Sequence, residues 1–195
     1  MPFDVSFRDA TEADIPALVS LVTSAYRGDA SRVGWTTEAD LLDGQRIDPE
    51  VLRQDILRPR STVLIAERGG DDATRGDLFA CAHVAADGDA GYFGMFSVRP
   101  DIQGGGLGKA VLAEAERIVR DDWRLPVMRM TVIDVRDELI GFYERRGYRR
   151  TGTFKPFPYG DARFGIPLRD DLRFEVLEKT LQQHPPAAPV TIPTR

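Results

Sequence analysis

A single cysteine, Cys81, in 195 residues excludes an internal disulfide and any multi-cysteine metal site, which fits a reducing compartment. Long apolar runs are missing too: nothing approaches the roughly 18 consecutive apolar residues of a membrane span. The opening residues, MPFDVSFRDATEAD, are acidic and lack a basic stretch followed by an apolar one, so a cytoplasmic protein without a membrane partner is expected. Basic charge is the minority, with 26 Lys and Arg against 31 Asp and Glu and a net charge of -5. That balance argues against nucleic acid as a partner, because a phosphate-binding surface needs clustered cations, and mildly favours cationic partners. Repeats are absent as well. What is present, 42% hydrophobic and 9% aromatic residues, suffices for one ordinary core. One domain over residues 1–183 is expected, followed by a Pro-rich tail at 184–195, where HPPAAPVTIPTR carries four prolines in twelve residues.

Hydrophobic periodicity sets the element order. TEADIPALVSLVTSAY (11–26) opens with Thr11 and Asp14 at capping-box spacing and continues with Ile15, Leu18, Val19, Val22 and Tyr26 on one helical face. PEVLRQDIL (49–57) carries a second, short helical pattern. After Pro59 the pattern turns strand-like: TVLIAER (62–68), LFACAHVAA (78–86) and YFGMFSV (92–98) are separated by turn-rich stretches and read as antiparallel neighbours. A helix over 106–120 follows, with Leu107, Val111, Ala115 and Ile118 on its apolar face. The strand VMRMTVI (127–133), reached by this helical crossover, is expected parallel to 92–98. RDELIGFYERR then reads as a helix ending at Gly147, and YRRTGTF (148–154) and LRFEVLEKTL (172–181) as the last strands. Between them KPFPYGDARFGIPLRDD is too rich in Pro and Gly for regular structure. The sum is an α/β domain with a mixed sheet.

The stretch VRPDIQGGGLGKAVLAEAERI (98–118) places four glycines in five positions, Gly104, Gly105, Gly106 and Gly108, ahead of a helix. Glycine inside regular structure costs about 0.5–1 kcal/mol relative to alanine, so a return is expected. A strand running into a Gly-rich loop and a helix aims unpaired backbone N–H groups along the positive end of the helix dipole, a cradle for phosphate. The GxxxxGK[ST] pattern fails at Gln103 and Ala110. The GxGxxG dinucleotide pattern needs an early βαβ unit, whereas this loop follows three antiparallel strands. A nicotinamide or phosphotransfer enzyme is therefore a distant reading.

A third pattern, Q/R-x-x-G-x-G/A after a strand ending V-x-P, is intact as Val98, Pro100, Gln103, Gly106 and Gly108. It resembles the acetyl-CoA loop of the GCN5-related N-acetyltransferase (GNAT) superfamily, and the element order over residues 5–181 is similar to that fold. The resemblance implies a mixed, mostly antiparallel central sheet of six to seven strands flanked by about four helices. It implies acetyl-CoA as cosubstrate and no metal. Phe96, Ser97 and Val98 would meet the pantetheine arm through their backbone; Gln103, Gly104, Gly105, Gly106, Leu107, Gly108 and Lys109 would hold the pyrophosphate, with Lys109 or Arg99 adding countercharge. The family's later motif, N-x-x-A-x-x-F-Y-x-x-x-G-F, matches RDELIGFYERRGY at Tyr143, Gly147 and Tyr148, but the Asn is Arg136 and the small residue is Leu139. Arg136 is carried as a cofactor contact on that alignment.

Direct attack of an amine on a thioester expels a thiolate that needs a proton, and Tyr143 is the candidate general acid. The amine must lose a proton first. GYFGMFSV lacks the strand carboxylate that some of these enzymes use, so Glu38, in the 34–46 segment, and His83 are the candidate bases. Cys81 alternates with His83 and reads as buried filler rather than a nucleophile. Trp35, Tyr26, Phe157 and Tyr159 fall in segments that would line the acceptor side, and Glu38, Asp40 and Asp43 hint at a basic acceptor. The expected partner is a small-molecule or peptide amine, and a homodimer is compatible with the fold. The expected function is an acetyl-CoA-dependent N-acetyltransferase; the alternative is a catalytically silent acyl-CoA-binding protein on the same scaffold.

Overall fold

A computed structural model describes residues 5–27, 31–32, 34, 37–44, 46–69, 77–161 and 164–182. In chain order the elements are β1 (Val5–Asp9), α1 (Ile15–Tyr26), β2 (Leu42–Asp43), α2 (Pro49–Leu57), β3 (Ser61–Arg68), β4 (Leu78–Asp87), β5 (Ala90–Val98), α3 (Leu107–Arg117), β6 (Val127–Ile133), α4 (Asp137–Glu144), β7 (Arg149–Pro156), β8 (Ile166–Pro167) and β9 (Arg173–Thr180). Seven strands form one sheet in the order β1-β3-β4-β5-β6-β9-β7, and β2 pairs with β8 in a small ladder. The expected antiparallel run of three strands is present as β3-β4-β5, and β5 and β6 are the parallel pair. The mixed, mostly antiparallel sheet with four helices is as expected.

Strand alternation divides the core. Leu64, Ala66, Ala80, Ala82 and Val84 point to one face, where Val111, Leu112 and Ala115 of α3 and Ile140 and Tyr143 of α4 cover them. Val63, Ile65 and Cys81 point to the other, against Leu18, Leu21, Val22 and Tyr26 of α1 and Leu52 of α2. With helices on both sides, β4 is buried from Leu78 to Ala85 and reads as a continuous apolar run.

The helix starts follow from their caps. Asp14 accepts the Thr11 backbone N–H at 2.8 Å and the Thr11 hydroxyl at 3.0 Å, and a 3-10 turn (Glu12–Asp14) leads into α1. Asp48 accepts the amides of Glu50 and Val51 at 2.8 and 3.2 Å, with Pro49 in the first helical position, which fixes α2 at the range read from its periodicity. The helix expected over 106–120 runs as α-helix only to Arg117 and continues as a π turn over Ile118–Asp122.

Two features were not legible. The stretch read as wholly irregular contributes β8, whose two residues pair with Leu42 and Asp43 and tie the 37–46 segment to the loop after β7. The last strand, β9, also inserts between β6 and β7 rather than extending the edge. The Pro-rich tail and most of the turn between β3 and β4 lie outside the described residues. No helix among the described residues is long and apolar enough to cross a membrane.

Candidate active site

The site begins as a defect in the sheet. Cys81 of β4 pairs with Ser97 of β5, but His83 pairs with Gly94, so β5 carries an extra residue there. Met95 takes it up at φ +49°, a left-handed backbone uncommon for a side chain of that size. The bulge bends β5 away from its parallel neighbour. Pairing between β5 and β6 is confined to Ala90–Tyr92 against Val127–Arg129, while β6 stays paired with β9 as far as Ile133. Beyond Tyr92 the two strands splay and open a cleft through the sheet.

On one side of the cleft lies a cavity of about 310 Å³, lined by Phe96, Ser97 and Val98 of β5, the loop at Gln103, Gly104 and Gly106, and Leu107, Gly108 and Lys109 at the start of α3. Gly106 caps α3 with φ +85°, and a Cβ built there meets nothing within 4 Å, so its glycine answers a backbone need. Gly108 answers a spatial one: a Cβ would lie 3.1 Å from the Phe96 ring. Gln103 Nε2 donates to the Val98 carbonyl at 3.0 Å and straps the loop to the strand. The residues present fit the group the resemblance implies, since the glycine loop and the first residues of α3 line an open cavity where a pyrophosphate could meet a helix N-terminus.

Of the two cations expected here, Lys109 lines the cavity and Arg99 does not. Arg99, a candidate from the sequence, is held at 2.6 Å by Asp77 and 2.8 Å by Asp101 and does not line the cavity, nor does Gly105. Arg145 and Arg146 line it instead, and Arg146 donates to the Phe142 carbonyl at 2.6 Å. The signal was in ERRGY: two arginines just after Tyr143 fall at the same helix end.

Across the cleft a second cavity of about 380 Å³ is lined from α2, β4, β5, β6 and the loop after β7. Both cavities share Tyr26, Phe96, Arg136, Leu139 and Tyr143, so these residues mark where they join. Tyr143 is buried among Phe93, Phe142 and Tyr148 in edge-on ring contacts. Among the described residues its hydroxyl has no hydrogen-bond partner, and burial pushes its pKa above the usual phenol value, so it keeps its proton. Tyr26 reaches the same junction from α1 and donates its hydroxyl to the Phe96 carbonyl.

His83 lines the second cavity and stacks edge-on to Tyr92. The Ser61 hydroxyl donates to the Asp55 carbonyl at 2.6 Å and so uses its one proton there; its 2.9 Å contact with His83 Nε2 then makes Nε2 the donor. The neutral ring therefore carries its lone pair on Nδ1, 3.6 Å from an Asp55 carboxylate oxygen. Burial lowers the His83 pKa against the pull of that carboxylate. The result is a neutral imidazole with a free basic nitrogen and an anion placed to steady its protonated form.

Glu38 is placed differently from the expectation of a base. Its carboxylate accepts from Arg136 Nη1 at 2.7 Å and Arg27 Nη1 at 3.1 Å, with Arg46 Nε at 3.4 Å. Burial alone would raise its pKa, but Arg46, Arg136 and Arg27 outweigh it and hold the group below the usual carboxylate range. A carboxylate enclosed by three cations is a poor proton acceptor, and Arg136 is held by it while lining both cavities. Glu38 lines the second cavity, but the neighbouring acids do not: Asp40 pairs with Arg32 at 2.7 Å, and Asp43 accepts the Gly44 amide at 2.7 Å. Of the expected aromatics, Tyr26 and Phe157 line the second cavity, joined by Phe164 and Phe174. Tyr159 instead braces its own loop, accepting the Leu172 amide at 2.7 Å, and Trp35 lies outside the described residues. Cys81 is fully buried, its thiol pushed up to about 12 by desolvation, which leaves it inert as a nucleophile.

The architecture is shared with solved acetyltransferases. The ribosomal-protein-alanine N-acetyltransferase from Brucella melitensis is similar at TM-score 0.65 and 23% identity, over 90% of this chain and 99% of that one. The ribosomal-protein-S18-alanine N-acetyltransferase from Escherichia coli is similar at TM-score 0.64 and 14% identity, over 94% and 98%. Nourseothricin acetyltransferase is similar at TM-score 0.62 and 19% identity, over 92% and 99%. Identities this low speak for the fold alone. By sequence, no curated protein matches the chain. The family model described as Acetyltransferase (GNAT) domain matches residues 59–150, the span that holds the bulged strand, the glycine loop and Tyr143. Over residues 59–150 the chain is thus similar in sequence to GNAT acetyltransferase domains, and over nearly its whole length it shares their fold.

Proposed function

We propose that the protein is an N-acetyltransferase that moves an acetyl group from acetyl-CoA to a primary amine by direct transfer, without an acyl-enzyme. One observation carries this reading: a cavity lined by the glycine loop and a second, largely apolar cavity meet at buried Tyr143, whose hydroxyl keeps its proton and has no partner among the described residues. When bound, acetyl-CoA supplies the acetyl group in activated form as a thioester. The amides of the glycine loop, Lys109, Arg145 and Arg146 serve its phosphates, and the backbone of Phe96–Val98 serves its arm. Tyr143 holds the proton that the departing sulfur needs. His83 Nδ1 takes the proton that an ammonium acceptor must lose, directly or through one water, and Asp55 steadies the imidazolium. Glu38 acts by holding Arg136 and Arg46 in place.

The test is thiol release from acetyl-CoA against a panel of primary amines, beside acetyl-CoA binding followed by thermal shift. Saturable, amine-dependent release is expected. Tight acetyl-CoA binding with no release from any amine would make the protein a silent binder instead.

A further inference from the structure

Among the described residues, the arginines around Glu38 outnumber the carboxylate three to one. The side chains of Arg27, Arg136 and Glu38 are 6%, 8% and 7% exposed and that of Arg46 26%, so the surplus of positive charge is largely shielded from solvent. Nε and Nη2 of Arg27 and Nε of Arg46 are buried without a hydrogen-bond acceptor. Two of the three cations, Arg46 and Arg136, line the acceptor cavity. Arg46 lies face-on to Tyr26 at 4.3 Å and Arg136 at 5.9 Å from the same ring. A ring face attracts a cation more weakly than a buried charge loses by going without its counter-ion, so the ring does not settle the imbalance. The other acids of the cavity are engaged elsewhere, Asp48 in capping α2 and Asp55 beside His83. The rest of the wall is mostly apolar, with Phe93, Phe157 and Phe174 beside aliphatic side chains such as Leu42, Met130 and Val132.

Resting on the acetyltransferase reading, we infer that the acceptor is an amine that also carries a carboxylate, held by Arg46 and Arg136, with an apolar body against this mostly apolar wall. Its ammonium then faces the His83 and Asp55 side of the cavity. The opposite chemistry is disfavoured, since a polyamine would set a second cation against Arg46. This reverses the basic acceptor that the acidic 38–43 segment suggests.

The probes are 3-phenylpropionate, 3-phenylpropionamide and 3-phenylpropylamine, titrated calorimetrically into the full chain in the presence of coenzyme A. The carboxylate is expected to bind at least about tenfold more tightly than the amide, the scale of a desolvated charge pair, and the amine weakest. Arg46→Gln should erase that preference, with coenzyme A binding as the check on folding. In thiol release, L-phenylalanine should exceed phenethylamine in kcat/KM by a similar factor. Equal binding of carboxylate and amide by the unmodified chain, or a preference that survives in a folded Arg46→Gln, overturns the inference. Carboxylate binding with no thiol release from any amine overturns the transfer reading, and the acceptor with it, leaving an anion pocket.

Discussion

Glu38→Gln separates a structural carboxylate from a catalytic base. The substitution keeps shape and removes one negative charge from among Arg136, Arg27 and Arg46, at 2.7, 3.1 and 3.4 Å. At about 4 Å and an effective dielectric near 20, each such contact is worth roughly 4 kcal/mol in gross terms, so three amount to about 12 kcal/mol. Most of that is offset by the desolvation of four shielded charges, and deleting the partner of a buried pair has a net cost of about 3–5 kcal/mol. Against a typical domain stability of about 5–15 kcal/mol this is a large fraction. For a chain of this size it corresponds to a fall in Tm on the order of 10 °C. The assay is urea unfolding, with the midpoint displaced and the slope unchanged. Because Arg27 and Arg46 lose their counter-ion, added sulfate should restore part of the loss. If Glu38→Gln melts like the parent while thiol release collapses, Glu38 is the base after all and the cage is incidental.

Three further outcomes follow from the same geometry. Tyr143→Phe removes a hydroxyl without a described partner and keeps the ring among Phe93, Phe142 and Tyr148. Stability should change by less than about 0.5 kcal/mol, while kcat for thiol release falls by about 10²–10⁴ and the acetyl-CoA KM is little moved. His83, whose pKa burial lowers, should give kcat an acid limb below about pH 6.5 that His83→Gln abolishes. The sign for stability is the same: the folded state favours the neutral ring, so its contribution is complete above the unfolded value near 6.5 and is lost as pH falls from there toward the folded pKa. Gly106→Ala forces a Cβ onto φ +85°, a strain of about 1–2 kcal/mol, and should raise the acetyl-CoA KM by displacing the start of α3, as read from initial rates.

Features that depend on neighbours in sequence were legible. Alternation in LFACAHVAA gives a strand between two faces, Asp48-Pro49 gives a capped helix at the range read, and Gly106 and Gly108 give a loop whose local pattern matches its backbone. Features that depend on pairing were not. The bulge at Met95 follows from the register of β4 against β5, and nothing in GYFGMFSV marks it. The insertion of β9 beside β6 and the two-residue β2–β8 ladder depend equally on tertiary contacts. Charge belongs to the same class. In GWTTEADLLDGQR the acids outnumber the one arginine, and the linear reading is an acidic, amine-seeking loop. In the fold, Arg27 arrives from the end of α1, Arg136 from the start of α4 and Arg46 from the loop itself, so the acid that seemed to set the sign of the site is outnumbered there. The electrostatic character of a cavity is set by which charges share its low-dielectric wall, and Arg136 lies 98 positions from Glu38. Arg136, standing where the family motif has Asn, lines both cavities, so that one departure puts a cation where the two meet.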